Sequence, residues 1–301
     1  MPLTLRLLPG SYSDSLSILV TQTTPQRVVG TGSTLTSAFE VAKGAVVEAR
    51  NMTLIGSGTS DRVSCGKLAT DAISSLKLSD FKVSIESTTV QMAFIRCNAT
   101  LERGEIDMQM FGDGALLLNE GTNLVVDRLY VHSQGDSAQS GFAVFDRDST
   151  ARVTNSVFLN AGVQFSNLDT VAGAEFFFAY NTWVMTHQAF VNCNKGSSTV
   201  LNARFENNII FSTTTDEPLL APNNCTLVGN IVAPFAGSLP GNIIANPRLV
   251  DAPGGDYHLQ PSSPALDAAV PSQVSLDVDH DFEGTIRPQG AKPDIGALEL
   301  H

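Results

Sequence analysis

Arg128, Tyr130 and His132 alternate along the run Arg128-Leu-Tyr-Val-His. On a β-strand, alternate side chains share a face, so Leu129 and Val131 turn inward and the three polar residues project together. A loop follows, Ser133-Gln-Gly-Asp-Ser-Ala-Gln-Ser-Gly, which carries Asp136, and then Asp146-Arg147-Asp148. These residue types suit β-elimination on a uronate. A cation must neutralise the sugar carboxylate, a base must take the proton α to it, and an acid must protonate the leaving oxygen. Arg128 or Arg147 matches the first role, His132 the second and Tyr130 the third. Asp136, Asp146 and Asp148 would instead supply a carboxylate pair for hydrolysis. Asp146 and Asp148 share a strand face, where like charges oppose double ionisation. The competing reading is plain surface: outward His and Tyr on a sheet, and Asp-Arg-Asp as a solvated turn. His187 is a second candidate. Trp183 nearby could stack on a sugar or lie buried under other chain, and His258 reads as structural.

What positions these residues is a repeat. An Asn or its stand-in recurs at Asn51, Asp80, Arg103, Arg128, Asn155, Asn181, Asn208 and Asn230, in steps of 29, 23, 25, 27, 26, 27 and 22 residues. Three residues after each stands an apolar side chain, from Leu54 and Val83 to Phe211 and Ala233. One apolar strand per unit at this spacing marks a solenoid. Leucine-rich repeats are excluded because the leucine comb is missing, and propeller blades need longer units. The runs are rich in Val, Ile, Phe and Thr, which suits strands; Thr36–Lys43 is the one short stretch with helical character. The reading is all-β, a parallel β-helix whose coils stack at about 4.8 Å per rung. Stacked Asn side chains at a bend would hydrogen-bond along the ladder, interrupted or solvated where Asp80, Arg103 and Arg128 stand.

The residue two past each Asn should face outward: Thr53, Lys82, Glu105, Tyr130, Val157, Trp183, Ile210 and Val232. The last four form an apolar stripe, which should not stay bare. The C-terminal tail, or a partner, is predicted to lie over Val157–Val232, leaving a cleft where the cover ends near Tyr130.

Composition narrows the function classes. The 301 residues are 43% hydrophobic and 16% charged, with a net charge of −12. No Lys/Arg cluster occurs, which argues against nucleic acid or an anionic bilayer as partner. A polyanionic sugar requires a local Arg patch or a bound cation. No apolar run is long enough to span a membrane as a helix, and no leader is visible ahead of Met1-Pro-Leu-Thr-Leu. Cys65, Cys97, Cys193 and Cys225 form two pairs, each 32 residues apart, with no Cys-x-x-Cys. They read first as small inward residues. Disulfides between adjacent turns are the alternative and would suit an exported protein.

Beyond Asn246 the period breaks into Pro- and Gly-rich chain that closes on Asp281-Phe-Glu-Gly-Thr-Ile-Arg-Pro…Asp294-Ile-Gly-Ala-Leu-Glu. The expected division is residues 1–245 as coils and 246–301 as a capping tail on the same helix, one domain in all. Asp281, Glu283, Arg287, Asp294 and Glu299 look like a charge network that covers exposed strand edges. Asp277-Val-Asp-His-Asp could be taken for a calcium loop but lacks the full EF-hand spacing. Calcium stays open; no other cofactor is indicated.

This ending, with the Asn-x-x-Phe rungs from Asn155 onward, resembles bacterial right-handed parallel β-helix proteins of the pectate-lyase-like superfamily. The resemblance implies three parallel sheets, a polysaccharide or glycan partner and a secreted or cell-surface location. It does not carry a reaction, because the superfamily hosts lyases, hydrolases, epimerases and non-enzymatic adhesins. The Gly-His-Gly and paired-Asp signatures of polygalacturonase-like hydrolases are absent, as are the clustered cations and calcium aspartates of classical pectate lyases. Three readings follow: a polysaccharide lyase acting on a uronate polymer, a non-catalytic adhesion or glycan-binding module, and an epimerase or isomerase using related proton abstraction.

Overall fold

The computed structural model describes residues 3–19, 24–56, 62–66, 72–86, 92–108, 116–119, 121–134, 141–145, 149–165, 175–186, 190–192, 202–214, 219–221, 225–272 and 278–300. All regular structure among them is strand, wound into a parallel β-helix. Long strands at Gln26–Leu35, Val46–Gly56, Ser74–Ile85, Cys97–Met108 and Asn123–Ser133 pair in parallel, one coil on the next. From the following coil each long strand divides in two, as Thr150–Thr154 with Val157–Leu159 and Phe176–Ala179 with Thr182–Met185. A separate sheet of nine short parallel strands, from Leu16–Ile18 to Leu219–Ala221, closes the coils. Thr36–Lys43, the stretch with helical character, instead contributes the strand Phe39–Val41. Its alternate residues Phe39 and Val41 are buried in the core, which decides the conformation.

A column of left-handed residues sets the bend between the two halves of each long strand. Asn51, Asp80, Arg103, Arg128, Asn155, Tyr180 and Asn207 all have φ between 49° and 56°, and Gly229 takes the next place. Asn and Asp tolerate this region better than most residues. The amide ladder lies one residue further on. Ser156 N donates to Asn181 Oδ1, Asn181 N to Asn208 Oδ1, Asn208 N to Asn230 Oδ1 and Asn230 N to Asn242 Oδ1, all at 2.9–3.0 Å. Each Nδ2 also reaches a carbonyl of the preceding strand, as Asn208 does with Phe178 O. The Asn column in the sequence therefore mixes two columns, the bend up to Asn155 and the ladder from Asn181.

That one-residue slip corrects the outward stripe. Val131, Phe158, Trp183, Ile210 and Val232 are successive partners across the coils and all are buried in the core. Trp183 stacks on Phe158 at 4.9 Å between ring centroids, so it is unavailable to a sugar. Thr182, Val184, Ile209 and Ile231 take the outer face instead, beside Val157, and the chain beyond Leu249 packs over them.

The tail runs lengthwise along this face. Its strands Leu249–Asp251 and Asp256–Leu259 pair antiparallel, and Ile295, Ala297 and Leu298 pack over the outer apolar face. Arg287 ties it together: its guanidinium bonds Glu299 and the carbonyls of His280, Asp294 and Gly296, and lies 4.8 Å from the Tyr180 ring centre. Asp281 accepts from the amides of Glu283, Thr285 and Glu299. Gly296 has φ of 100°, and a Cβ there would meet Ile209 at 2.6 Å, so this approach admits only glycine.

Cys65 and Cys97 form a disulfide that joins adjacent coils, with their Cα atoms 5.7 Å apart. Cys225 is also disulfide-bonded. The reading of these cysteines as simple inward residues is corrected: Cys65 stacks on Phe94 of the next coil, and Cys97 follows three residues later, within bonding distance. Among the described residues no helix is long and apolar enough to cross a membrane.

Candidate functional site

Leu129 and Val131 are fully buried, and Tyr130 and His132 stand on the opposite face of their strand. Their ring centroids are 6.3 Å apart. His132 Nδ1 lies 3.9 Å from Asp107 Oδ1, its partner on the preceding coil, with the imidazole about one-third exposed. Tyr130 sits where the tail's cover stops, 6.5 Å from the ring of Tyr257. The Tyr257 hydroxyl is buried with no hydrogen-bond partner in range among the described residues. Burial, and then the neighbouring Tyr130 phenol, push it well above the usual phenol range.

Arg128 departs from the expected alignment with Tyr130 and His132. Its left-handed backbone interrupts the alternation, and Nε donates to Asp127 Oδ2 at 2.9 Å. Asp127 is the most heavily contacted carboxylate of the area. Oδ1 accepts from Asn155 Nδ2 at 2.9 Å, and Oδ2 meets Nε2 of His280 from the tail at 3.0 Å. Burial alone would raise its pKa, but the bonds from Asn155, His280 and Arg128 outweigh it and hold the carboxyl below the usual range. His280 Nδ1 faces Asp279 Oδ1 at 2.6 Å, so each ring nitrogen meets a carboxylate. Asp136, Asp146, Arg147, Asp148 and His187 lie outside the described residues.

Upstream of Asp127 the outer face holds a groove of about 440 Å³, lined by Arg27, Glu48, Arg50, Lys77, Glu102 and Arg103. Its lining carries four cations against two carboxylates, on a chain of net charge −12. The register makes it run along the helix axis: Arg50 pairs Ser79, Ser79 pairs Glu102, and Glu102 pairs Asp127. Three of the cations are engaged. Arg27 Nε meets Glu48 at 3.2 Å, Lys77 meets Glu102 at 2.9 Å, and Arg103 grips both oxygens of Asp80 at 2.7 and 2.9 Å. That grip holds the Asp80 carboxyl below its ordinary range. Arg50 has no ion pair among the described residues.

No known family matches the sequence, and no curated protein matches it. A solved structure does: the crystal structure of pectate lyase Pel9A superimposes with a TM-score of 0.55 and 11% identity, over 99% of this chain and 88% of that one. At that identity the likeness shows the fold alone.

The sequence reading missed Arg50, Asp127 and His280. Arg50 and Asp127 sit in one outward column, three coils apart, a signal that appears once the coils are aligned. His280 lies 153 residues from Asp127, and only the tail's path joins them. Among the described residues no group of three or more His, Cys, Asp or Glu is placed to hold a metal ion.

Proposed function

We propose that this chain is a carbohydrate-active protein that holds a uronate-containing polysaccharide along the groove and cleaves it by β-elimination beside Tyr130 and His132. The observation that carries this reading is the groove itself, a cation-rich strip on an acidic protein that leads to a rung bearing Arg, Tyr and His. In this reading Arg128, released in part from Asp127, offsets the charge of the sugar carboxylate. His132 takes the α-proton, its ring directed by Asp107, and Tyr130 protonates the departing oxygen. Asp136, Asp146, Arg147 and Asp148, further along the sequence, complete the candidate set. Fold likeness to a pectate lyase agrees with this chemistry but does not determine it. A secreted or cell-surface location accords with the disulfide-bonded cysteines.

The test is absorbance of unsaturated uronate ends on a panel of acidic polysaccharides. Turnover that falls at least a hundredfold in both His132→Ala and Tyr130→Phe, with folding intact, supports the assignment. Silence across the panel sinks it.

A second reading, glycan binding without turnover, is favoured by one observation: three of the four groove cations already hold carboxylates. Such a face binds through shape and a few hydrogen bonds rather than through a strong field. It would show saturable binding that neither substitution changes.

A further inference from the structure

We infer that the groove reads an isolated anionic group, flanked by neutral sugars, through Arg50. The inference rests on the proposed polysaccharide reading and specifies the class of polymer.

Up to and including its bend residue, each strand of the groove from Val46–Gly56 to Asn123–Ser133 carries one cation and one carboxylate: Glu48 with Arg50, Lys77 with Asp80, Glu102 with Arg103, and Asp127 with Arg128. Three of those cations are bound by carboxylates within ion-pair distance, as is Arg27 ahead of them. Arg50 is the exception among the described residues. The next residue in its column is Ser79, and the one after that is Glu102. An extended glycan lying on the column advances about one sugar per rung, each rung being about 4.8 Å. An anionic group set over Arg50 finds a cation with no ion pair among the described residues, since the nearby Asp80 is gripped by Arg103, and a neutral serine on the next rung. A second anion two sugars along meets Glu102 instead. A third, beside it, would face Asp127.

A polymer charged on every sugar must therefore displace protein carboxylates from Lys77 and Arg103, or lie against Glu102 and Asp127. Like charges so placed are a discrimination against the wrong ligand as much as a contact with the right one. A polymer with one uronate in every four sugars sets neutral sugars over Ser79, Glu102 and Asp127 and meets neither obstacle. Arg50 is the specificity residue, because of the cations lining the groove it is the one without an ion pair among the described residues.

The experiment measures affinity for three polymers of matched length: a homopolyuronate, a copolymer with one uronate in every four sugars, and a neutral glycan. The protein is tested as wild type, Arg50→Ala and, as a cation outside the groove lining, Lys292→Ala. The expected result is that wild type prefers the copolymer to either other polymer by about tenfold. Arg50→Ala should lose that preference, with copolymer affinity falling to the neutral level. Lys292→Ala removes the same charge outside the groove and should shift all three by less than about threefold. A homopolyuronate bound as well as the copolymer overturns this inference while the polysaccharide reading stands. Retained preference in Arg50→Ala overturns it as well. Binding to none of the three overturns both.

Discussion

At the scale of the residue, two kinds of asparagine share this chain, and their energetic roles differ. Those of the ladder are buried and fully bonded. Asn208 Oδ1 accepts from the backbone and side chain of Asn181, and its Nδ2 donates to Phe178 O and Asn230 Oδ1. Replacing it with alanine strands groups on three neighbouring strands, and each buried unpaired polar group costs about 1–3 kcal/mol. Asn208→Ala should lower stability by about 3 kcal/mol, read from the denaturant midpoint at constant slope. Asparagines of the bend are chosen for backbone tolerance; Asn51 stands exposed, while Asn155 and Asn207 are buried. Asn207 combines both uses: it holds φ of 55° while its amide pairs with the backbone N and O of Val270, docking the tail as a peptide group would.

At the scale of the element, the tail is held to the helix by charge as well as by apolar packing. His280 reaches Asp127 at 3.0 Å, and His258 lies between Asp256 at 2.7 Å and Glu283 at 3.4 Å. The signs are opposite. Asp127 has a depressed pKa, so its contribution is present above the unfolded value near 3.9 and is lost as pH falls through the lower folded value. His258 is raised, chiefly by its bond to Asp256. Its contribution is present below the unfolded value near 6.5 and is lost as pH rises through the folded value. Thermal stability should therefore be greatest in mildly acidic solution. Asp127→Asn should lower it across the range above the unfolded carboxylate value and flatten the acid limb, and His258→Gln should flatten the limb above neutrality. A melting temperature that responds to pH identically in wild type and both variants would refute this assignment of the clamps. Little of this was legible in the sequence. Inward and outward positions could be read wherever the bend residue marks the register, which is why Leu129, Val131 and Phe158 come out correctly. Past Asn155 the bend is Tyr180 and Asn207 and the ladder is Asn181 and Asn208. An Asn suits either place, so the alternation slipped by one residue and Trp183 was turned outward. The meeting of Asp127 with His280 depends on the path of the tail over several coils, which no local spacing encodes.

At the scale of the whole molecule, a solenoid is a stack in which each coil touches only its neighbours. The Cys65–Cys97 bridge strengthens one such step. Closing a loop of 32 residues is worth about 3–4 kcal/mol on a chain-entropy estimate. Cys65→Ser/Cys97→Ser should lose about that much, seen as earlier melting of the first coils. The tail acts differently, because it touches coils far apart at once: His280 meets Asp127, Ala297 N meets Thr182 Oγ1, and Ser272 meets Glu206. It is a strap laid across the rungs. Coils under it cannot open singly, whereas those before Asn123 are joined edge to edge and by the Cys65–Cys97 bridge, with Leu3, Leu5 and Leu8 exposed at the start. Amide exchange should then show graded protection rising from Thr4–Arg6 inward, followed by a single block from Thr150 to Ala233 that opens together. The rod has a direction in its strength, and it should unravel from one end only.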